Sequence, residues 1–442
     1  MTRAGTLAAL LLFFDVAAAA ATDPETLVRG ALTHIEAKRW ALARTYLDPV
    51  VIDPRISSSQ RSRAYYLRGY TFLAEGLDTS AAQDYGRALE FDAANADALE
   101  AIAFLHLEGR GVVHDERRAF ELFLRSARAG HVDAKAYVGY ALLAGRGTKP
   151  DVEKARFWLK EAADAGDVTA LTHLARSYRA LHTDKPDPER ARTLYEDAIA
   201  RGSTEAMIGL GYMHLEGELG EPDAKRAAEL FARSAAAESA EGRTALAHLY
   251  LSGTGVARDD RRARALFEAA AVQGYGPALA GLAYLYESGG GGLARDDARA
   301  TDLYRRGAEA GDPSAQMHLA AWYLRDPTEA NTREALRWFR AAAESDANAQ
   351  NALAWLLATT VHDALRDGAA AVAAAESAVA AIRSASTLDT LAAALAEAGQ
   401  FDRAVAVQRE AIAALTPEEA DLRAEFDMRL ARYESRQPWR GP

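Results

Sequence analysis

Apolar positions along this chain fall into pairs of helical stripes separated by glycine-rich turns. From Asp97 to Ala347 one offset is apolar in every unit: Ile102, Val138, Leu174, Leu210, Leu246, Leu282 and Leu319. The next residue is always small, namely Ala103, Gly139, Ala175, Gly211, Ala247, Ala283 and Ala320. This pairing predicts a first helix whose backbone is approached closely by a second. Turns such as Gly109-Arg110-Gly111, Gly145-Arg146-Gly147 and Gly253-Thr254-Gly255 suit helix ends with positive φ. An aspartate then precedes each second helix and is read as its N-cap. That helix carries alanine and then apolar residues at +3, +4 and +8, as in Ala155, Trp158, Leu159, Ala163 and in Ala227, Leu230, Phe231, Ala235. Such spacing makes one apolar stripe at helical period.

The pattern keeps time. Asp-x-x-basic-Ala recurs at Asp115, Asp151, Asp187, Asp223, Asp259 and Asp296, in steps of 36, 36, 36, 36 and 37 residues. Gly130, Gly166, Gly202, Gly274 and Gly311 keep the same beat, with Glu238 standing where a sixth glycine belongs. Two marks in register over six units define a repeat array.

The segment Leu210-Gly211-Tyr212-Met213-His214-Leu215-Glu216-Gly217, the Gly-x-Gly-Val of Gly253 to Val256 and the basic-Ala second helix resemble Sel1-like repeats, the longer-looped relatives of tetratricopeptide repeats. The resemblance implies an all-α fold, a right-handed superhelical α-solenoid of helix–turn–helix units, with seven such units over 97–347. Repeat three has Leu181-His182-Thr183 in place of the glycine turn. Repeat seven has Asp326-Pro327 there and Asn331 at the cap position, so both turns are expected to take other shapes.

The flanks, 22–96 and 348–415, resemble plain tetratricopeptide repeats. Ala64 to Asp92 carries Gly69, Ala81, Tyr85 and Ala88 at the expected offsets, with Arg68 where leucine is usual. Leu388 to Leu391, Gly399 to Ala404 and Ala411-Ile412 match well, and Ala349 to Ala381 forms another unit with an irregular turn at His362 to Gly368. In 416–442, Thr416-Pro417-Glu418-Glu419 is a capping box with proline at the first helical position. It is expected to open a charged helix, Leu422 to Tyr433, that caps the end of the solenoid.

Composition narrows the function. Asp plus Glu outnumber Lys plus Arg by 63 to 52, a net charge of −11. Nucleic-acid binding needs a basic stripe, and docking on anionic lipid needs the same; neither is expected. The absence of cysteine removes disulfides, thiolate metal sites and cysteine nucleophiles. Residues 1–21 read as a signal peptide: a basic start at Arg3, an apolar run to Phe14, and small residues from Ala17 to Ala21. Asp15 interrupts the run, which leaves an uncleaved segment or a cytosolic start as alternatives; the stretch before it is too short to span a bilayer. The expected location is the bacterial periplasm or the exterior.

Candidate chemistry is sparse. No nucleophile elbow, P-loop, dinucleotide fingerprint or His-Glu-x-x-His is present, and no cofactor or metal is expected. His106 and His214 share an offset with Tyr178, Tyr250 and Tyr286 and are read as core rings; His173 and His318 lie four repeats apart. Asp259-Asp260 and Asp296-Asp297 are read as helix caps, and Gly289 to Gly292 as a long turn. What remains is surface. Two positions after the apolar offset stand Phe104, Tyr140, Arg176, Tyr212, His248, Tyr284 and Ala321; three further on stand Leu107, Leu143, Arg179, Leu215, Leu251, Glu287 and Leu324. Two readings stand side by side: packing between repeats, or a concave groove for a peptide or partner helix through Phe104, Tyr140, Arg176, Arg179, Tyr212, His248 and Tyr284. The resemblance implies a non-catalytic scaffold or adaptor for a protein partner. It also implies two variants: an exported regulator restraining a sensor protein, and an accessory subunit of a surface-polysaccharide assembly. Relatives with reported hydrolase activity are rich in disulfides, so an enzyme is not expected.

Overall fold

The computed structural model describes residues 23–179 and 185–441; the expected signal segment and the Leu181-His182-Thr183 turn lie outside them. Among the described residues there are 23 α-helices and no strand. The chain divides into two units, 1–222 and 223–442. Unit one holds α1 (Pro24–Glu36), α2 (Trp40–Ile52), α3 (Ser58–Ala74), α4 (Asp78–Phe91), α5 (Ala96–Glu108), α6 (Glu116–Arg128), α7 (Val132–Ala144), α8 (Val152–Asp164), α9 (Val168–Arg176), α10 (Pro188–Ala200) and α11 (Thr204–Glu216). Unit two holds α12 (Ala224–Ala236), α13 (Ala240–Ser252), α14 (Asp260–Ala271), α15 (Gly276–Ser288), α16 (Asp297–Glu309), α17 (Pro313–Tyr323), α18 (Glu329–Ala342), α19 (Ala347–Thr359), α20 (Gly368–Ala381), α21 (Ala385–Glu397), α22 (Phe401–Ala413) and α23 (Arg423–Glu434). Within each unit consecutive helices pack as hairpins and each hairpin packs on the next, the arrangement of an α-solenoid.

The repeated aspartate fastens most of the hairpins twice. Its carboxylate accepts the N–H three residues on, at 2.8 Å for Asp115 and Arg118, with the same contact at Asp151, Asp187, Asp223, Asp259 and Asp296. Its own N–H donates back to the first helix, reaching the carbonyls of His106, Leu142, Tyr178, Tyr250 and Tyr286 at 2.9 Å from Asp115, Asp151, Asp187, Asp259 and Asp296. The basic residue of the motif is not merely solvated. Arg190, Arg262 and Arg299 lie over the rings of Tyr178, Tyr250 and Tyr286, 4.7, 5.6 and 4.7 Å from their centroids, a cation–π contact.

The two glycines of each turn do different work. The first ends its helix in the left-handed region, as Gly253 does at φ +72°. The second lets the turn press on the preceding hairpin. A Cβ on Gly147 would lie 2.1 Å from the Glu116 carbonyl oxygen, and one on Gly255 2.1 Å from that of Ala224. The small offset packs as anticipated: Ala103, Ala175, Ala247, Ala283 and Ala320 are fully buried, and Gly139 sits under Leu159 with no room for a Cβ. Val138, Leu174, Leu210, Leu246, Leu282 and Leu319 are buried beside them, while Ile102 is half-buried.

Several expectations are corrected. Helix α18 is capped by Thr328, which accepts the Asn331 N–H at 3.3 Å; Asn331 instead donates its amide to the Asp326 carbonyl at 2.8 Å. The Thr416 box opens a 3₁₀ turn, Pro417–Leu422, before α23 begins at Arg423. That helix is no purely polar lid, since it buries Phe426, Arg429 and Tyr433. His106 is half-buried and bonds the Val113 carbonyl in its own turn, so its ring holds the turn rather than the core. Arg68 is accommodated because Asp84 on the facing helix takes it at 2.7 Å.

Candidate functional site

The predicted offset is accessible to different degrees in different hairpins. Phe104 is 42% and Tyr284 54% exposed, His248 and Ala321 are exposed, and Tyr140, Arg176 and Tyr212 are half-buried. The residues on either side of each are mostly buried, because only one offset per helical turn faces away from both the partner helix and the neighbouring repeat.

In unit one the row opens with a ring cluster. Phe104 meets Phe123 edge-on at 4.9 Å, Phe123 stacks on Tyr137 at 3.9 Å, and Tyr137 lies 6.4 Å from Tyr140. Polar groups follow. The Tyr140 ring lies 5.2 Å from His173, and Arg176 Nη2 donates to His173 Nδ1 at 3.0 Å. An accepted bond at Nδ1 makes His173 the neutral tautomer with hydrogen on Nε2. Burial, reinforced by the Arg176 charge, holds the His173 pKa down to about 4. Glu205 stands 4.0 Å from Arg176, and desolvation raises its carboxyl above the usual range. The interruption at Arg176 is therefore a small polar knot rather than a lone cation.

Arg179 does not join the open face. It is 5% exposed, its Nη2 lies 2.8 Å from Glu216, and its Nε lies 2.8 Å from Glu218. Both acceptors belong to the next repeat, so the guanidinium is a tie between repeats. In unit two, His248 meets Phe267 edge-on at 5.1 Å, and Tyr284 stands beside Tyr304 and His318, which stack at 4.6 Å with planes 7° apart. Tyr304 donates to Glu287 at 3.2 Å, and Arg325 lies 3.4 Å from the same carboxylate. Tyr304, His318 and the 39% exposed Trp322 were missed by the offset template, which pointed to Ala321 and ignored the second helices. The signal available was the aromatic pair Trp322-Tyr323 directly after that alanine.

Among the described residues, Glu100, His131 and Asp133 have donor atoms within 4.8 Å of one another. His131 Nε2 is 3.4 Å from both Asp97 and Glu100, so these groups link α5 to the start of α7. No helix among the described residues is long and apolar enough to cross a membrane.

Capped hairpins stacked through small-residue stripes, with an exposed aromatic offset, define the class of helical repeat proteins that present extended surfaces. The Sel1 repeat family matches seven consecutive stretches, 96–131, 132–167, 170–203, 204–239, 240–275, 276–312 and 313–346, more than half of the chain. The chain belongs to the Sel1 repeat family. No curated protein matches it. Among solved structures it is similar to c5321, a protective antigen of uropathogenic Escherichia coli displaying an SLR fold, at 26% identity over 79% of this chain and 76% of that one, with a TM-score of 0.42. A Sel1 repeat protein from Oxalobacter formigenes matches at 22% identity over 53% of this chain and 95% of that one, TM-score 0.43. The Cut9–Hcn1 assembly of the APC/C matches at 17% identity over 93% and 77%, TM-score 0.49.

Proposed function

We propose that this chain is a non-catalytic scaffold of the bacterial cell envelope that captures a protein or peptide partner along the exposed offset of its first helices. The observation that carries this reading is the exposure of two large rings, Phe104 and Tyr284, each flanked by buried residues on its own helix. Aromatic side chains are where binding energy at interfaces concentrates. The composition of residues 1–21 supports export.

The test pairs capture with folding. Phe104→Ala and Tyr284→Ala are expected to reduce partner recovery from envelope fractions at least ten-fold while leaving helicity and melting unchanged. Full recovery by both folded variants would place the partner elsewhere. Sequencing of the mature chain should begin near Thr22, and full-length protein in the cytosol would remove the envelope assignment.

A further inference from the structure

The segment after α23 folds back onto its own unit. The chain reverses at Arg436, which holds φ +54°, a region L residues rarely adopt. There the N–H groups of Arg436 and Gln437 return to the carbonyls of Tyr433 and Arg432 at 3.0 and 2.9 Å. Pro438 enters next, a residue with no N–H to leave unpaired. Three contacts then seat the segment on the first helices of the last hairpins. Trp439 packs against the apolar cluster, with the Arg429 guanidinium 5.6 Å from its ring. Arg440 forms an ion pair with Glu397 at the end of α21, a carboxylate that Arg366 already holds at 3.2 Å. Gly441 donates its N–H at 3.0 Å to Thr359, in the last turn of α19, where carbonyls lack intrahelical partners.

The receiving surface is built without the segment. Arg429 is fixed by Asp389 at 2.9 Å and flanked by Trp355 and Phe426 at 5.2 and 5.1 Å, so a cation framed by rings stands ready for another aromatic face. Glu397 is a nearly buried carboxylate at a helix end, a natural seat for a second guanidinium. The occupant, by contrast, fits imperfectly. The Trp439 indole N–H is buried with no acceptor, and Arg436 is strained. An unpaired indole also means that the ring is selected by shape and face, not by a hydrogen bond.

We propose that the face formed by α19, α21 and α23 is a docking site for an extended segment with an aromatic residue followed by arginine, and that Pro438–Gly441 is a built-in occupant which such a partner displaces. This site uses none of the residues of the aromatic row, so the two readings stand or fall separately.

The probe is a fluorescein-labelled peptide with the sequence of Arg436–Gly441. It is titrated into the full chain, into a chain ending at Ser435, and into the full-length double variant Trp439→Ala with Arg440→Glu. Both altered chains are expected to keep their helicity and to bind the peptide saturably, at least ten-fold tighter than the unaltered chain. Adding Glu397→Gln to the shortened chain should weaken that binding again. Equal binding to all three chains, or binding to none, overturns the proposal. So does loss of helicity in both altered chains, because the segment would then be part of the core.

Discussion

Arg179 and Leu251 occupy the same offset in repeats three and five, and the structure handles them in opposite ways. Leu251 rests half-buried against the apolar cluster of unit two, just before the Gly253-Thr254-Gly255 turn. Arg179 is buried by two carboxylates from the following repeat, Glu216 and Glu218. What both regions share is backbone: a capping aspartate whose N–H returns to the first helix, at Asp187 and at Asp259. This solenoid fixes cap and approach geometry, while side-chain chemistry between repeats varies wherever the neighbour supplies a match. The ionic solution is the more fragile one, since an ion pair out of water depends on both members.

The largest effect should come from breaking that tie. Arg179→Ala leaves Glu218, whose side chain is 14% exposed, without its cation. A loss of about 3 kcal/mol is expected, the scale for removing one partner of a buried pair. Arg179→Leu combined with Glu218→Gln rebuilds the chemistry of repeat five and should recover most of it. Hydrogen exchange over α9 to α11 is the measurement, because damage in a repeat array stays local. A single-variant loss under about 0.5 kcal/mol would mean that the pair behaves as a solvated surface bridge.

The apolar region breaks through its backbone instead. Gly253→Ala meets only the left-handed penalty, about 1–2 kcal/mol, because its nearest neighbour is 3.4 Å away. Gly255→Ala meets that penalty and a collision with the Ala224 carbonyl, adding roughly 1 kcal/mol, the low end of the cost of overpacking. Denaturant unfolding of the two variants should therefore differ by about 1 kcal/mol. Equal losses would show that the turn can move off the preceding hairpin at no cost.

The division between these regions matches what the sequence disclosed. Caps, glycine ends and the small stripe were legible because each obeys a fixed offset: Asp259 predicts its own bond to Arg262, and Ala283 its own burial. Arg179 was misplaced on the open face because its partners sit 37 and 39 residues on, and no offset rule distinguishes a repeat edge that is covered from one that is not. The exposure of Phe104 and Tyr284 was readable, but the buried Tyr304 that stacks on His318 beside Tyr284 was not, since it comes from a second helix. The seat of Trp439 on α19 and α21 lies outside any periodicity.

Acidification should separate the polar region from the rest by a smaller amount. His173 has its pKa held down to about 4 by burial and Arg176, against an unfolded value near 6.5. Between those values the unfolded chain binds the extra proton and the folded one does not, so stability falls as pH drops from about 6.5 toward about 4. The slope contributed by this one group is at most about 1.4 kcal/mol per pH unit. Unfolding of repeats three and four, followed with and without His173→Gln, reads it directly. An unchanged pH slope in the variant would mean that the ring is protonated while folded.

The smallest effect is a gain, and it tests whether backbone geometry is what the two regions share. At the close of each second helix a glycine adopts positive φ: +90° at Gly202, +74° at Gly274 and +86° at Gly311. Glu238 takes the same position in repeat four with φ +63°, although it has a Cβ that crowds the following carbonyl there. Its carbonyl also accepts the Gln273 amide at 3.0 Å, a bond made by the backbone alone, so replacing the side chain leaves it intact. Glu238→Gly removes the crowding and costs some unfolded-state entropy. The balance should be a stabilisation of about 1 kcal/mol, seen as slower exchange at the end of α12 and the start of α13. If the variant is instead less stable, the glutamate side chain holds that junction, and the left-handed helix end is not the common frame that Arg179 and Leu251 are built upon.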